Sequence, residues 1–510
     1  MTKTAYITTP IYYPSGAPHL GSAYTSLACD VYSRFKRLDG YDTKFLTGTD
    51  EHGLKIQRSA ELQNKSPQEY VDGMAAQFRE LTPIMNLSND DFIRTTEERH
   101  IKTATAFWKK LEENGYIYKD TYSGWYSVPD ETYYTEDELV NGCSPDSGHP
   151  VEWVEEESYY FKLSAFQDKL LSYYDAHPEF IQPKSRFNEV YSFVKKELRD
   201  LSISRSTFTW GVPVPNDDAH IMYVWIDALT NYLSATGWPE HGDNSDFSKY
   251  WPAIHVVGKD ILKFHAIYWP AMLMAANVEL PKQIFAHGWW TVDGEKMSKS
   301  KGNVVNPAKL IKDYGRDQLR YFLMREVSFG NDGDFSKDRL IQRINTELAN
   351  DLGNLFQRVL TMVYKNCDGK IPALNELTIE DKEFLSQVNI IKQLRDDIDK
   401  LAFHNGLNTI WHVIGEANRY MDTMQPWKLK DNPERMAHVL RVLAECLAYI
   451  SLEIEPFMPE SAKKMQTAIA LPFDNFTGLD VEKEVLITGT EIPKPQGIFP
   501  RIDVNETEAA

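Results

Sequence analysis

Thr4-Ala5-Tyr6-Ile7-Thr8-Thr9-Pro10-Ile11-Tyr12-Tyr13-Pro14-Ser15-Gly16-Ala17-Pro18-His19-Leu20-Gly21-Ser22 is the stretch from which the architecture follows. Thr4 to Thr9 is short and β-prone, and Pro10, Pro14, Gly16 and Pro18 then force an irregular loop. From His19 onward Leu20, Tyr24, Leu27, Ala28, Val31, Phe35 and Leu38 recur at intervals of three and four, the period of one helix face. Asp39-Gly40 closes that helix, and Tyr41 to Thr47 reads as a second strand. Strand, loop, helix, strand is a βαβ unit, which predicts a parallel sheet with ligands outside the carboxyl ends of its strands.

Outward from this unit the texture changes twice. Between about Tyr116 and Gly211 acidic residues and tyrosines dominate (Asp130-Glu131, Tyr133-Tyr134, Glu155-Glu156-Glu157), and the βαβ rhythm stops, as in an insertion. The segments Ile221 to Trp225, Ile254 to Val257, Ile261 to Met274 and Gln283 to His287 restore it. From about Leu340 to Leu471 the chain is mostly amphipathic helix, with Leu348, Leu352, Leu355, Phe356, Val359 and Leu360 on one face, which predicts a helical bundle. The stretch after Pro472 is rich in Pro, Gly and Thr and reads as strand and loop packed on that bundle.

At 510 residues the chain exceeds one core, and three or four units are expected. It has 42% hydrophobic and 25% charged residues, with no charged-then-apolar start and no apolar run near the ~20 residues that span a bilayer. Four cysteines without a Cys-x-x-Cys pair fit a reducing compartment, so a cytoplasmic protein with no membrane partner is expected. The net charge of −19 opposes a non-specific DNA coater more than a protein that meets one nucleic acid through a local patch.

Two elements carry phosphate chemistry. His19, Gly21 and Ser22 enter the first turn of a helix directly after a strand, where unpaired N–H groups and the helix dipole favour an anion. Taken alone they read equally well as a surface loop with a helix cap at Ser22. Lys296-Met297-Ser298-Lys299-Ser300, between Asp293-Gly294-Glu295 and Lys301-Gly302-Asn303, is a loop that can close cationic donors over a polyphosphate. A lysine that arrives as charge builds on the phosphate oxygens favours the transition state.

Together these two elements resemble a class I aminoacyl-tRNA synthetase. Further strings resemble the methionyl-tRNA synthetase family: Tyr12-Tyr13, Thr47-Gly48-Thr49-Asp50-Glu51-His52-Gly53, Tyr223-Val224-Trp225-Ile226-Asp227-Ala228 and Gly258-Lys259-Asp260-Ile261-Leu262-Lys263-Phe264-His265. The family's first element usually ends in a second histidine, where this chain has Ser22. The resemblance implies a Rossmann-type α/β catalytic domain with a connective insertion, followed by an all-α anticodon-binding bundle. The expected boundaries are 1–115 and 216–290 for the two halves of the catalytic domain and 116–215 for the insertion. The KMSKS loop and stem-contact region takes 291–345, and the bundle with its tail 346–510.

The resemblance further implies ATP with Mg²⁺, L-methionine and tRNA(Met) as reaction partners, and a monomer is expected. It places Ile11, Tyr13, Trp225, Ala228, Leu229, Tyr232, Ile261 and His265 around a methionine side chain, Asp50 on its α-ammonium and Asp260 on a ribose hydroxyl. It puts Arg205 near the catalytic cleft. Each aromatic taken singly also reads as core, and Asp50 as a turn residue. His19, Gly21, Ser22, Lys296 and Lys299 are the implied catalytic set, with Met297, Ser298 and Ser300 completing the nucleotide loop. Asn354 and Arg358, at i and i+4, and Trp427 are the implied anticodon readers; the bland alternative is solvated helix surface and a helix-end plug. Relatives often carry zinc on Cys-x-x-Cys pairs in the insertion, but Cys143 alone, with at most His149, cannot build a four-ligand site, so no structural zinc is expected. Competing readings are a small-molecule nucleotidyltransferase, a non-catalytic tRNA-binding relative, and a synthetase for leucine or cysteine.

Overall fold

The computed structural model describes residues 3–14, 16–130, 132–240, 245–297, 303–476 and 484–503, without the side chains of Tyr122, Glu156 and Lys296. Its centre is a sheet of β1 (Thr4–Thr8), β2 (Asp42–Thr49), β3 (Asp91–Arg94), β4 (Ile181–Gln182), β5 (Ile254–Gly258) and β6 (Gln283–His287). The spatial order is β3-β2-β1-β5-β6-β4, and every pairing is parallel. Ile7 of β1 lies opposite Phe45 on one side and Ile254 on the other. The chain therefore leaves β1 in one direction and returns much later to its other flank. That reversal is the switch point where open α/β sheets hold their ligands.

The first crossover is α1 (Leu20–Leu38), and Leu20, Tyr24, Leu27, Ala28, Val31, Phe35 and Leu38 are all buried. Burying each large apolar side chain contributes about 1.5–3 kcal/mol, which far exceeds any helix propensity. Asp39 caps the helix and Gly40, at φ 81°, takes the left-handed position that ends it.

The stretch 116–215 is divided among three sheets, one of them a small antiparallel sheet of Ser204–Arg205 and Pro213–Val214 on either side of Asp217–Met222. Ile117–Ser127 and Glu152–Phe161 form a long antiparallel ladder, flanked by Thr132–Tyr134 and Leu201–Ser202. The helices Gln167–Ala176 and Lys184–Lys195 enclose β4, which returns to the parallel sheet beside β6, with Ile181 opposite Ile284. Phe180 and Ile181 are buried there. Two residues of strand are too short to show a period, so the sequence reading assigned them to the insertion.

The helices Asn354–Asn366, Phe403–Met424, Pro433–Glu453 and Pro459–Ala468 form the bundle. One apolar cluster runs without interruption from Ile7 and α1 through Phe322 to Leu360, Ile410 and Leu447. The tail returns along the bundle: Ile371 N–H donates to Thr490 O at 2.9 Å, and Ile502 N–H to Asn345 Oδ1 at 2.8 Å. No described helix is long and apolar enough to cross a membrane.

Candidate functional site

Four connections converge above the switch point: residues 9–19 after β1, 50–53 after β2, 259–261 after β5 and 288–289 after β6. His19 caps α1, and its Nδ1 accepts the Gly21 N–H at 3.0 Å. A backbone N–H only donates, so the neutral ring carries its hydrogen on Nε2. Ser22 Oγ accepts the His19 N–H at 3.1 Å and donates to His19 O at 2.8 Å. The serine thus fastens the turn that presents His19. A Cβ on Gly21 would lie 2.8 Å from His19 Cε1, so only glycine leaves the ring where it is.

Across the crevice Asp260 is exposed in the turn Lys259–Ile261, with Trp289 Nε1 donating to its Oδ1 at 3.3 Å. Lys259 pairs with Asp332 at 2.6 Å and lies 4.2 Å from the Trp289 ring centroid. The lysine-rich loop leaves a hairpin of Trp290–Val292 and Glu295–Lys296. Asp293 and Gly294 both have positive φ in its two-residue turn, the geometry that fits strand twist. Met297 packs on the main apolar cluster, while Ser298, Lys299, Ser300 and the Lys296 side chain lie outside the described residues.

The residues expected around a methionine side chain gather on the helices Val224–Leu229 and Asn231–Ser234. The strand Asp217–Met222 ends just before this region, and from Val224 the chain is helix. The Trp225 ring stacks on Phe264 at 3.7 Å and 6°, and stands edge-on to His265 at 6.2 Å. His265 Nδ1 lies 3.0 Å from Ile261 O, a pure acceptor, so Nδ1 holds the hydrogen and Nε2 accepts from the Tyr232 hydroxyl at 2.7 Å. Burial lowers the His265 pKa to about 4, so the ring is neutral at physiological pH. Ile11, Tyr13, Trp225 and Ile261 pack on one cluster with Leu229 and Tyr232, and Ala228 is buried. Asp50, 6% exposed, follows β2 on a backbone tie to the first loop: its N–H donates to Tyr12 O at 3.0 Å, and Tyr12 N–H donates to Gly48 O at 2.8 Å.

An aromatic cluster with a neutral histidine–tyrosine pair thus lies on the same sheet as the α1 start that His19 caps. A family model described as tRNA synthetases class I (M) matches residues 5–150 and 136–360. One described as the anticodon binding domain of methionyl tRNA ligase matches 371–510. Methionine--tRNA ligase of Brucella suis biovar 1 (strain 1330) is 51% identical over 503 residues, 97% of either chain. That of Rickettsia bellii (strain RML369-C) is 51% identical over 99% of this chain and 100% of its own. The chain belongs to the methionyl-tRNA synthetase family. The Mycobacterium tuberculosis methionyl-tRNA synthetase in complex with methionyl-adenylate superposes with a TM-score of 0.92 at 46% identity, over 98% of this chain and 100% of that one. The free form of that enzyme gives 0.87 at 43% identity, over 99% of each.

At the far end of this methionyl-tRNA synthetase fold, Asn354 opens the helix that carries Arg358 one turn on. The Arg358 guanidinium lies 5.2 Å from the centroid of the Trp427 ring and 3.4 Å from Asp422. Trp427 stays 37% exposed in the turn Pro426–Lys428. Asn354 also lines a cavity of about 340 Å³ with Gln357, Phe499 and Arg501. In the insertion Arg205 is enclosed by tyrosines, 4.5 Å from the Tyr223 ring and 4.8 Å from Tyr133. At its tip Asp130 Oδ2 accepts from Ser127 at 2.5 Å, Ser144 at 2.5 Å and Ser147 at 2.7 Å. This knot joins two turns, each with the spacing of a Cys-x-x-Cys pair. Among the described residues no three His, Cys, Asp or Glu side chains converge as a metal site requires.

Sequence reasoning missed several members of the site. Tyr12 ties the loop to α1, its hydroxyl 3.0 Å from Ser22 O and 2.8 Å from Ser26 Oγ. His255, buried in β5, tilts against Tyr232 at 4.0 Å and bonds Thr8 and Trp269 through its two nitrogens. Phe264 stood in a quoted string beside His265, and its neighbourhood was the available signal. Nothing local marked His255.

Proposed function

We propose that this protein activates L-methionine with ATP, releasing pyrophosphate, and transfers the methionyl group from methionyl-adenylate to the terminal ribose of tRNA(Met), releasing AMP. The observation that supports the reading is one apolar cluster that gathers Ile11, Tyr13, Trp225, Leu229, Tyr232 and Ile261, with Asp50 and the His19 helix start on the connections that follow β2 and β1. Asp50 binds the α-ammonium, and Ile11, Tyr13, Trp225, Ala228, Leu229, Tyr232, Ile261 and His265 surround the thioether, a polarisable group suited to aromatic walls. The methionine carboxylate attacks the α-phosphorus; the bond to the pyrophosphate oxygen breaks as the new acyl-phosphate bond forms. No proton abstraction is needed, so alignment and charge stabilisation carry the step. The His19 Nε2–H, the α1 N-terminus at Gly21 and Ser22, and Lys296 and Lys299 meet the phosphate oxygens. Met297, Ser298 and Ser300 complete that loop, and Asp260 takes a ribose hydroxyl. Mg²⁺ enters with ATP as part of the substrate.

Asn354, Arg358 and Trp427 read the anticodon, the indole by stacking and the other two by hydrogen bonds to base edges. The enzyme works as a cytoplasmic monomer, and the Asp130 knot serves in the insertion in place of a structural zinc. The test is methionine-dependent exchange of labelled pyrophosphate into ATP, with leucine, cysteine and homocysteine in parallel and Lys299→Ala as control. Exchange with methionine, largely lost in the variant, is expected. Exchange with none of the amino acids would leave a tRNA-binding protein without activity.

A further inference from the structure

One buried carboxylate near the pocket has no part in the scheme above. Asp227 is fully buried in the helix Val224–Leu229, between Trp225 and Ala228. Its Oδ2 lies 2.7 Å from His52 Nδ1, and its Oδ1 lies 2.7 Å from His100 Nε2. His100 is itself buried in the helix Glu98–Glu113, with its Nδ1 3.1 Å from Ser234 Oγ. His52 follows Asp50 by two residues and stands edge-on to Trp210 at 5.5 Å. Trp210 Nε1 in turn donates to Glu51 O at 2.7 Å. Burial opposes the charged form, yet the two histidines hold the Asp227 carboxyl at about 2, so both oxygens act as acceptors.

The geometry points to Asp227 as a positioning residue that fixes the span between the α-ammonium anchor at Asp50 and the thioether pocket on Trp225, Ala228 and Tyr232, and so gauges amino-acid length. The inference rests on the roles proposed above for those residues. The two ends of the pocket come from different segments, the turn after β2 and the helix after Tyr223. Asp227 and His52 form a side-chain bond between them, and His100 braces the same carboxylate from a third segment. A site has to hold its groups within about 0.5 Å to use them. One methylene in an apolar pocket is worth roughly 10- to 200-fold in discrimination, and only when both ends are held.

Pyrophosphate exchange with L-methionine, S-methyl-L-cysteine (one methylene shorter) and L-ethionine (one carbon longer) tests this in the parent, Asp227→Asn and His100→Gln. Asp227→Asn keeps the shape and replaces one acceptor by a donor. The expected result is a methionine KM raised roughly tenfold, an ATP KM within about twofold, and a preference for methionine over both analogues cut severalfold. His100→Gln, at a residue given no contact with the amino acid, should shift the same preference in the same direction. It keeps the test open if Asp227→Asn folds poorly. Preserved discrimination in folded variants overturns the gauge, whether activity is unchanged or falls equally for all three amino acids. A parent that exchanges with none of the three overturns the functional reading instead.

Discussion

Gly21→Ala separates what the first turn of α1 does for stability from what it does for chemistry. The added Cβ would lie 2.8 Å from His19 Cε1 and 3.0 Å from Nδ1. Both atoms belong to the end of an exposed side chain, so the ring yields and the helix does not. Displacing it breaks the 3.0 Å bond from Gly21 N–H to Nδ1, a cap of about 0.5–2 kcal/mol. Alanine in place of glycine inside a helix returns about 1 kcal/mol. The two nearly cancel, and the unfolding midpoint should move little. The chemistry has no such compensation, because the Nε2–H loses its aim. A hydrogen bond to a charged group is worth about 1.5–3 kcal/mol, or roughly 10- to 150-fold in rate. Pyrophosphate exchange at saturating methionine and ATP reads the rate, and thermal unfolding reads the stability. The double variant His19→Ala/Gly21→Ala should be no slower than His19→Ala, since both changes remove the same contact. Exchange within about twofold of the parent would refute the reasoning. Full additivity would do so too, by placing the loss in the Gly21 backbone itself.

Two further outcomes follow from sites away from the chemistry. Trp427→Ala removes an exposed ring held beside Arg358. Base stacking is worth about 1–3 kcal/mol, so kcat/KM for tRNA charging should fall roughly 5- to 150-fold, while exchange without tRNA is unchanged. Glu453 is fully buried, and neither carboxyl oxygen has a hydrogen-bond partner among the described residues. Burial raises its pKa from 4.5 to about 8, so between those values the folded protein keeps a proton that the unfolded chain has lost. Stability from this group is complete below 4.5 and declines as pH rises toward 8. Glu453→Gln should therefore raise the unfolding midpoint more at pH 8 than at pH 5, by up to roughly 3–5 kcal/mol. An equal shift at both pH values would show that the carboxyl is not protonated in the fold.

What the sequence revealed and what it hid divide by range. α1 and β6 were readable because each carries its own signal: a long apolar period in the first, and five residues of β-prone, mostly buried sequence in the second. β4 was not, because its two residues are defined by pairing with Ile284 and Phe285 far along the chain. The Asp227 cluster spans 127 residues to His100 and 175 to His52, with no local spacing to announce it. Trp225, His265 and Trp427 entered through family resemblance, because single aromatic residues in apolar sequence look like core.

The bundle and the catalytic sheet have to face one tRNA at two ends, and Arg320 is where they are fastened. Its side chain is fully buried. Nη2 donates to Asp30 Oδ2 at 2.6 Å and Pro456 O at 2.9 Å, Nε to Phe457 O at 2.9 Å, and Nη1 to Met85 O at 3.0 Å. Asp30 sits on α1, eight residues beyond Ser22, or about 12 Å along a straight helix. The helix that His19 caps is thus pinned to the loop that enters the last bundle helix. Arg320→Met leaves Asp30 with a buried charge short of a partner and removes a donor from four backbone carbonyls, those of Met85, Asn86, Pro456 and Phe457. Breaking a buried pair in this way costs about 3–5 kcal/mol, which should show as a lower denaturant midpoint. Amino-acid activation needs only the catalytic side, so exchange at low temperature should stay within a few-fold. Charging of intact tRNA needs both ends held at a fixed distance, so its kcat/KM should fall by at least tenfold more than exchange does. Equal losses in the two assays would mean that the pin supports the catalytic sheet alone, and that the bundle is oriented by the continuous apolar core without it.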